Sequence, residues 1–328
     1  MGDKIRWGVI STANIGRKRV IPAIQASKNG TVNAVASRNL EKAQTFASEL
    51  DIPTAYGSYE ELLADPNIDA IYNPLPNSQH AEWSIKCAEA GKATLCEKPL
   101  ASNAEEAQTM VDAFEEHNIL FAEAFMYRFH PQTQRVKQMV DDGALGTMHT
   151  IQSTFNFRIP PDNEGNIRLS KDLAGGSLMD VGCYCVNIIR LLTGEMPYAV
   201  GASALIGEES GVDERLIGMM SFDSGVFAHF DSSLRSQFTH TCEIRGSEGR
   251  IYVPEAFVIP ADKPTTIHYW KDDTYEAIEI PPANSYTLMA EDFADALLNS
   301  RAPKYMPQDA VENMDVIDAL LNSIPQVD

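Results

Sequence analysis

The feature that most constrains this chain is the regular alternation of short apolar runs with amphipathic helical stretches over its first 125 residues. The apolar runs include IRWGVI, VNAVAS, IDAIYNPL and ATLCEKP, and helical periodicity appears between them, as in LEKAQTFASEL. Neighbouring parallel strands need crossover connections, and these are usually helices that cover the faces of the sheet. The alternation therefore predicts a doubly wound parallel sheet, and we expect a Rossmann dinucleotide-binding domain over residues 1–124.

The pattern changes at about Thr147 to long alternating strands, such as MHTIQSTFNF, ERLIGMMSF and VFAHFDSSL, which continue to about Ile280. Period-two alternation without intervening helices predicts a largely antiparallel sheet with one packed face and one open face. Helical segments are expected at LMDVGCYCVNIIRLLTG, EDFADALLNS and QDAVENMDVIDALL. We therefore expect an α+β domain with a large, mostly antiparallel open sheet over residues 125–328.

Composition argues against several classes of partner. The chain has 26 Lys and Arg against 46 Asp and Glu, and the resulting net charge of −20 repels phosphate backbones and anionic membranes. No apolar run approaches the roughly 20 residues that span a bilayer, and the first residues show no secretory signal. We expect a cytoplasmic protein with no nucleic-acid or membrane partner. The five cysteines form neither an even disulfide framework nor a paired zinc pattern, which predicts reduced thiols and no metal site.

The turn after the first strand predicts a dinucleotide site. Its G-x-G-x-x-G positions are occupied by Ser11, Ala13 and Gly16, so one glycine remains. Small residues there let the backbone approach a pyrophosphate, whose charge is met by amide groups at the start of the following helix. An ordinary tight turn between a strand and a helix would look similar, and this alternative stays open. The predicted cofactor contacts in this turn are Ser11, Thr12, Ala13, Asn14, Ile15 and Gly16.

The end of the second strand predicts a preference for NADP(H), although NAD(H) stays possible. An NAD enzyme usually places a carboxylate there, on the ribose 2′-hydroxyl, and that carboxylate would repel a 2′-phosphate. This chain instead has Ser37, which donates a hydrogen bond, and Arg38, whose guanidinium meets a phosphate with charge-assisted bonds. The alternative is a solvent-facing arginine in the loop.

Four further segments, together with the turn after the first strand, form a series of motifs in a fixed order along the chain. Asn73–His80 and Glu97–Pro99 end two neighbouring strands, where open α/β sheets bind their ligands, and Phe125–Pro131 and Gly175–Tyr184 follow. Together with Gly16, these segments closely resemble the Gfo/Idh/MocA oxidoreductase family over essentially the whole chain. The resemblance implies a nucleotide domain, a second domain whose open sheet commonly mediates oligomers, and an active site between them. It also implies cofactor contacts at Pro74, Leu75, Asn77, His80, Glu97 and Lys98.

The resemblance further implies that Lys98 is a catalytic residue, since a cation there binds a developing alkoxide. A structural lysine is the alternative. The inositol dehydrogenase branch carries an Asp and, four residues later, a His; here the pair is Asp180 and Tyr184. The chain is therefore more similar to the glucose-fructose oxidoreductase, xylose dehydrogenase and dihydrodiol dehydrogenase branch, in which a tyrosine occupies that position. A free tyrosine has a pKa of about 10, so Lys98 is expected to favour the phenolate of Tyr184.

Asp180 is expected to bind a substrate hydroxyl or to orient Lys98, with a salt bridge on the helix face as its alternative. The alternative for Tyr184 is a core ring with its hydroxyl at the edge. Tyr127, Arg128 and Arg168 are expected to line the substrate cleft, and a structural role fits Arg168 equally well. With Asp180 and Tyr184, these residues form the predicted substrate site.

The reaction that the resemblance implies is hydride transfer between NADP(H) and a sugar or polyol, most simply by an aldose 1-dehydrogenase such as a xylose dehydrogenase. Ketosugar reduction and trans-dihydrodiol oxidation are close alternatives. A non-catalytic NAD(P)-binding sensor and a cofactor-assisted glycosidase are more distant ones, and the presence of both Lys98 and Tyr184 favours an enzyme. We expect a homodimer or homotetramer that assembles through the open sheet.

Overall fold

The first of two sheets is wholly parallel in the computed structural model, which describes residues 4–160, 163 and 165–325. Its strands follow the order β3-β2-β1-β4-β5-β6, which confirms the predicted Rossmann sheet. The strands are β1 (Ile5–Ile10), β2 (Gly30–Ala36), β3 (Thr54–Tyr56), β4 (Ala70–Asn73), β5 (Ala93–Cys96) and β6 (Phe121–Glu123).

Helices join these strands and begin at defined caps. They are α1 (Ile21–Ala26), α2 (Leu40–Glu49), α3 (Tyr59–Leu63), α4 (His80–Glu89) and α5 (Ala104–Glu116), and a π-helical turn at Gly16–Val20 precedes α1. Asn39, Ser58 and Asn103 each accept a hydrogen bond from a backbone N–H in the first turn of the next helix. These bonds satisfy donors that a helix start otherwise leaves without partners. Because β2 and β4 lie on opposite sides of β1, the strand order reverses there, and ligands bind at the carboxyl ends of the strands beside such a reversal.

The second sheet has eight strands in the order β14-β13-β12-β11-β7-β10-β9-β8. Among the strands that the structure describes in this sheet, only β7 and β10 pair in parallel, so the prediction of a large, mostly antiparallel sheet is confirmed. The strands are β7 (Met148–Arg158), β8 (Ala199–Ile206), β9 (Asp213–Ser221), β10 (Phe227–Ser233), β11 (Arg235–Gly246), β12 (Gly249–Val253), β13 (Thr265–Lys271) and β14 (Thr274–Ile280). Four helices complete the chain: α6 (Pro131–Asp141), α7 (Cys183–Thr193), α8 (Ser285–Leu298) and α9 (Pro307–Asn322).

The chain divides into two compact units, which do not follow its linear order. The first contains the chain as far as Met126 together with Asn284–Val311, and the second contains the remainder. Helix α8 joins the first unit because Phe293 packs on Trp7, with ring centroids 5.1 Å apart, and the side-chain amide of Asn29 donates to the Glu291 carbonyl at 2.9 Å. The sequence analysis assigned residues 125–328 to one domain, and that assignment stays a prediction.

None of the helices that the structure describes is long and apolar enough to cross a membrane. The five cysteines are free and buried. Within the same described ranges, no group of three or more His, Cys, Asp or Glu side chains is arranged to hold a metal ion.

A buried carboxylate anchors the helical segment that carries Asp180 and Tyr184. This segment starts as a π-helical turn at Leu178–Gly182 and continues as α7. One carboxylate oxygen of Asp213 accepts hydrogen bonds from the Ser177 hydroxyl and from the Leu178 N–H, both at 2.7 Å. Burial raises the pKa of Asp213 to about 6, and these hydrogen bonds oppose the rise. The start of the segment is therefore held by a carboxyl group that titrates in the weakly acidic range.

Close packing fixes the other end of this turn. A Cβ atom at Gly182 would lie 2.8 Å from Leu178 Cδ1 and 3.0 Å from Ser232 Oγ on β10, which is too close for ordinary contact. Glycine at this position lets the turn approach the sheet, and this approach sets the position from which α7 begins.

Replacing Asp213 with Asn should change the pH dependence of stability with a definite sign. The pKa is higher in the folded chain than the usual 3.8, so between about pH 4 and 6 the folded state keeps a proton that the unfolded state loses. Raising the pH through this range therefore destabilises the native protein. Asp213→Asn removes this effect, and its free energy of unfolding relative to the native protein should increase across the range by an amount on the order of 3 kcal/mol.

Urea unfolding at pH 4, 5, 6 and 7 measures this difference, with Asp223→Asn, on an exposed turn of the same unit, as the control for loss of a carboxylate. A difference between the native protein and Asp213→Asn that stays constant over the range would show that the Asp213 carboxyl group has an ordinary pKa.

Candidate active site and cofactor site

Ser11 adopts an unusual backbone conformation in the turn after β1. Its φ is +76°, in the left-handed region that glycine adopts more readily, and its N–H donates to the Ala36 carbonyl at 2.9 Å. Ser11 occupies the first glycine position of the dinucleotide pattern, so the structure gives the physical reason for glycine there. A serine holds this conformation at a strain of about 1–3 kcal/mol.

Two observations in this turn fit a bound dinucleotide. The hydroxyl oxygen of Ser11 is buried and has no hydrogen-bond partner among the residues that the structure describes, so it is free to donate to an anion. A Cβ atom at Gly16 would make only ordinary contacts, at 3.6 Å, with Ile21 and Tyr72. Packing within the chain therefore does not require glycine at position 16, whereas close approach of a pyrophosphate does.

Ser37 and Arg38 lie at the carboxyl end of β2, as the sequence predicts for a 2′-phosphate site. The Ser37 N–H donates to the Tyr56 carbonyl, and its hydroxyl oxygen accepts from the Asn39 N–H at 3.3 Å. Arg38 is exposed, and its charge opposes the rise that burial causes in the pKa of Tyr59. Arg38 therefore lies at the surface of the first unit, directly after Ser37 in the chain.

A pocket of about 370 Å³ next to this pair contains the predicted Thr12 together with five residues that the sequence analysis did not name. Its lining residues are Thr12, Arg17, Asn39, Glu41, Lys42 and Thr45. Arg17 pairs with Glu49 at 2.9 Å and lies over the Phe46 ring, so its cation is fixed in place. Lys42, near the start of α2, adds a second positive charge. The signal available in the sequence was the position of Lys42, one helical turn beyond Arg38.

The loops after β4 and β5 contain most of the remaining cofactor predictions. Pro74 and Leu75 are buried, Asn77 begins a 3₁₀ turn, and Glu97 and Lys98 are half-buried. The Tyr72 hydroxyl donates to the Glu97 carboxylate at 2.5 Å, and burial raises the pKa of Tyr72 well above its usual value. Glu97 is thereby held against β4, next to Lys98.

His80 lies at the start of α4 and is completely buried. Its ring nitrogens lie 2.7 Å from the Leu75 carbonyl oxygen and 3.0 Å from the Pro99 carbonyl oxygen. The structure therefore brings the loop after β4 and the loop that follows Lys98 together at one side chain.

In the second unit, Asp180 forms an ion pair with Arg168, whose Nε lies 2.6 Å from the carboxylate. The Arg168 guanidinium also lies 5.7 Å from the centre of the Phe157 ring. The structure therefore shows the salt bridge that the sequence analysis kept as an alternative for Asp180, with Arg168 as its partner. The exposed fraction of the Asp180 side chain is 16%, so ligand contact remains open to it.

Tyr184 is enclosed by aromatic rings of the same unit. Phe155 meets it edge to face with centroids 5.2 Å apart, and Phe257 and Tyr127 lie at 5.4 and 5.8 Å. Such contacts fix the direction of the phenol ring. Only 6% of Tyr184 is exposed, so its ring lies in the core, and its role as a catalytic residue stays a prediction.

Two predicted substrate residues lie inside the second unit. Tyr127 has no exposed surface, and its hydroxyl donates to the Asn187 side chain at 2.7 Å. Arg128 is buried as well. Their contact with substrate stays a prediction.

A groove of about 1250 Å³ in the second unit was not predicted from the sequence. It lies beside the Phe157 ring that Arg168 contacts, and it combines aromatic and charged surface. Arg235 and Glu214 form a bidentate pair across one wall, at 2.6 and 2.7 Å. The groove is lined by Phe157, Arg158, Ile159, Pro160, Leu169, Glu209, Ser210, Glu214, Arg235, Gln237 and Phe238.

Comparison with known proteins extends these observations. Residues 5–125 match the model of an oxidoreductase family with an NAD-binding Rossmann fold, and residues 133–252 match the GFO/IDH/MocA C-terminal domain. The chain is 41% identical over 317 residues to a D-xylose 1-dehydrogenase (NADP(+)) of Haloferax volcanii, an alignment that covers 97% of this chain and 96% of the relative. It is 34% identical over 258 residues to a trans-1,2-dihydrobenzene-1,2-diol dehydrogenase of Xenopus tropicalis, covering 76% and 75% of the two chains.

Among solved structures, the chain is similar to a 3-ketoreductase from Actinomadura kijaniata in complex with NADP and TDP-benzene. The TM-score is 0.93 at 30% identity, and the superposition covers 98% of each chain.

Proposed function

Because this chain belongs to the Gfo/Idh/MocA family of oxidoreductases, we propose that it is an NADP(H)-dependent sugar dehydrogenase that oxidises the anomeric hydroxyl of an aldose. The observation that carries the proposal is the 41% identity over nearly the whole chain to a D-xylose 1-dehydrogenase (NADP(+)). Residues in both units support the proposal. In the first unit, the turn after β1 is suited to a pyrophosphate, and Ser37 and Arg38 are suited to a 2′-phosphate. In the second unit, aromatic rings surround Tyr184.

The first unit would hold the dinucleotide through the turn after β1 and the end of β2. The unpartnered Ser11 hydroxyl and the amide groups of the turn face the pyrophosphate, while Ser37 and Arg38 bind the 2′-phosphate. Arg17 and Lys42 place two cationic side chains in the adjoining pocket, beside Glu41 and the Glu49 that pairs with Arg17. When bound, the nicotinamide supplies the acceptor for the substrate hydride.

Lys98 and Tyr184 would manage the proton that alcohol oxidation releases. The phenolate oxygen of Tyr184 accepts this proton, and the Lys98 ammonium stabilises the negative charge that develops on the substrate oxygen. Asp180 is paired with Arg168, so it serves to hold a substrate hydroxyl rather than to accept the proton. The aromatic enclosure of Tyr184 keeps its hydroxyl in one direction, which limits the substrate hydroxyls that it can serve.

The groove of the second unit suits a sugar. Sugars have apolar C–H faces that pack on aromatic rings, and Phe157 and Phe238 offer such surfaces. Their hydroxyl groups need both donors and acceptors, which Gln237, Glu209 and Arg158 supply. We assign substrate recognition to this groove together with Asp180 and Arg168.

A second candidate, the oxidation of trans-dihydrodiols, is favoured by the 34% identity to a dihydrodiol dehydrogenase and by the apolar rings near Tyr184. Reduction of a ketosugar uses the same groups in the reverse direction. A sensor would bind NADP(H) and turn over none of these substrates, and a glycosidase would release sugar without a net change in nicotinamide absorbance.

The open face of the second sheet would bind a second copy of this chain. Leu205, Ile217, Met219 and Phe227 lie on this face with 49 to 62% of each residue exposed. Trp270 and Tyr275 form a second patch on the same face, with their rings 5.1 Å apart. Apolar patches of this kind mark interfaces, and two patches on one face suit a symmetric dimer.

Arg38→Ala should weaken NADP⁺ binding by about 10- to 100-fold and leave NAD⁺ binding nearly unchanged, because only NADP⁺ has the phosphate that the guanidinium meets. Titration of both cofactors measures the ratio of dissociation constants. Arg135→Ala, which removes another exposed arginine, from α6, is the control for loss of one charge. Tighter binding of NAD⁺ than NADP⁺ by the native protein would contradict the assignment.

Lys98→Met and Tyr184→Phe should each lower turnover by about 10²- to 10⁴-fold, the usual range for loss of a positioned acid or base. The assay follows NADP⁺ reduction with D-xylose and other aldoses, inositols and dihydrodiols, and NADPH oxidation with ketosugars. Lys98 is proposed to act partly by favouring the phenolate form of Tyr184. The two effects should therefore not add, and the double variant should be little worse than the poorer single variant.

Tyr269→Phe is the matched control for Tyr184→Phe, since it removes a half-buried hydroxyl that donates to the Ala144 carbonyl. NADP(H) affinity should stay near the native value in all of these variants. Firm NADP(H) binding by the native protein without turnover of any substrate would favour the sensor.

Met219→Glu should dissociate the oligomer, because it buries a charge in the proposed interface. Light scattering at micromolar concentration should give a multiple of 36.1 kDa for the native chain and 36.1 kDa for the variant. Met306→Glu alters an equally exposed methionine of the first unit and should keep the native mass. A native mass of 36.1 kDa would rule out the interface.

A further inference from the structure

His80 occupies a position that ligand contact does not explain. The ring has no exposed surface, so a cofactor in the crevice has no part of it to touch. Its two nitrogens instead face the carbonyl oxygens of Leu75 and Pro99, at 2.7 and 3.0 Å. One carbonyl belongs to the loop after β4, and the other follows Lys98 directly.

A backbone hydrogen bond joins the starts of these two loops. The two loops leave the sheet at neighbouring strands, where the Glu97 N–H donates to the Asn73 carbonyl at 3.0 Å. Beyond this point the His80 ring lies between them. Asn73 supports the ring's own helix, because its side-chain amide donates to Ser84 Oγ at 3.0 Å while its Oδ1 accepts from the Leu75 N–H.

An imidazole ring can connect the two loops because each of its nitrogens can take part in a hydrogen bond. A neutral ring has one N–H and donates to one carbonyl at a time, whereas a protonated ring donates to both. Burial lowers the pKa of His80, and the contacts with the carbonyl groups oppose this effect. A buried donor between two carbonyl groups is expensive to remove, because the carbonyl groups lose a partner that water cannot replace.

We propose that His80 is a positioning residue whose buried ring ties the loop after β4 to the loop that carries Lys98. The tie holds the cofactor-facing loop and the catalytic lysine in one fixed arrangement at the crevice. The role assigned here to Lys98 rests on the proposed function, whereas the tie itself does not.

His80→Phe tests the tie, because the phenyl ring fills the space and has no donor. Hydrogen–deuterium exchange should increase at least tenfold at residues 74–79 and 97–101, and NADPH should bind at least fivefold more weakly. Turnover should fall at least tenfold at a temperature where the variant is fully folded. His80→Gln, whose amide can donate to one carbonyl, should recover part of the loss.

Lys92→Met is the matched control. Lys92 is buried in the same unit, and its ammonium donates to the carbonyl groups of Asp65 and Ile68 at 2.7 and 2.8 Å, at the opposite edge of the sheet. This variant also loses buried bonds to backbone carbonyl groups, and it should raise exchange near residues 65–69 while the two crevice loops, NADPH affinity and turnover stay native.

The outcomes are distinct. Unchanged exchange at both crevice loops in His80→Phe would overturn the proposal, and so would an equal increase there in Lys92→Met. Increased exchange with native NADPH affinity and native turnover would show that the ring only stabilises the fold, against a positioning role. A native protein that is inactive on every sugar would count against the proposed function, and exchange and NADPH affinity would still decide the question of His80.

Discussion

The reversal of strand order at β1 is the constraint on which the first unit depends. Because β2 and β4 lie on opposite sides of β1, the connecting segments diverge at the carboxyl edge of the sheet and leave a crevice between them. The backbone there is bonded just beyond the strands, as between Ser11 and the Ala36 carbonyl and between Glu97 and the Asn73 carbonyl. These bonds extend the order of the sheet into the loops, so the predicted cofactor residues are presented by a rigid edge.

In the second unit, the candidate catalytic residues are positioned by a helical segment rather than by strand ends. Tyr184 and Asp180 sit on a helical segment that begins with a π-helical turn, a feature common at functional sites. Asp213 bonds the start of this turn, Gly182 lets it approach β10, and Arg168 holds Asp180. The tyrosine and the carboxylate are therefore positioned by packing and buried bonds rather than by a mobile loop.

Local pattern was enough to predict both sheets and the placement of Ser37, Arg38 and Lys98 at strand ends, since strand and helix periodicity are properties of neighbouring residues. Contacts between residues that are distant in the chain could not be predicted from the sequence. The bond between Tyr72 and Glu97, the full burial of Tyr127 and the packing of α8 with the first unit all depend on register across the chain. The Asp180 alternatives were left open for the same reason, because its partner Arg168 lies in a separate loop.

The side chain of Asn39 has a consequence for attempts to redesign the cofactor preference. The side-chain Oδ1 caps α2 by accepting from the Lys42 N–H, while the backbone N–H of Asn39 donates to the Ser37 hydroxyl oxygen. The corner that would read the 2′-phosphate is thus the same corner that starts a helix. An aspartate at position 37 would repel the phosphate and still accept from Asn39, whereas an alanine would remove both the phosphate donor and the support of the cap. In coenzyme exchange by mutagenesis, side chains that keep an acceptor at position 37 therefore disturb the start of α2 least.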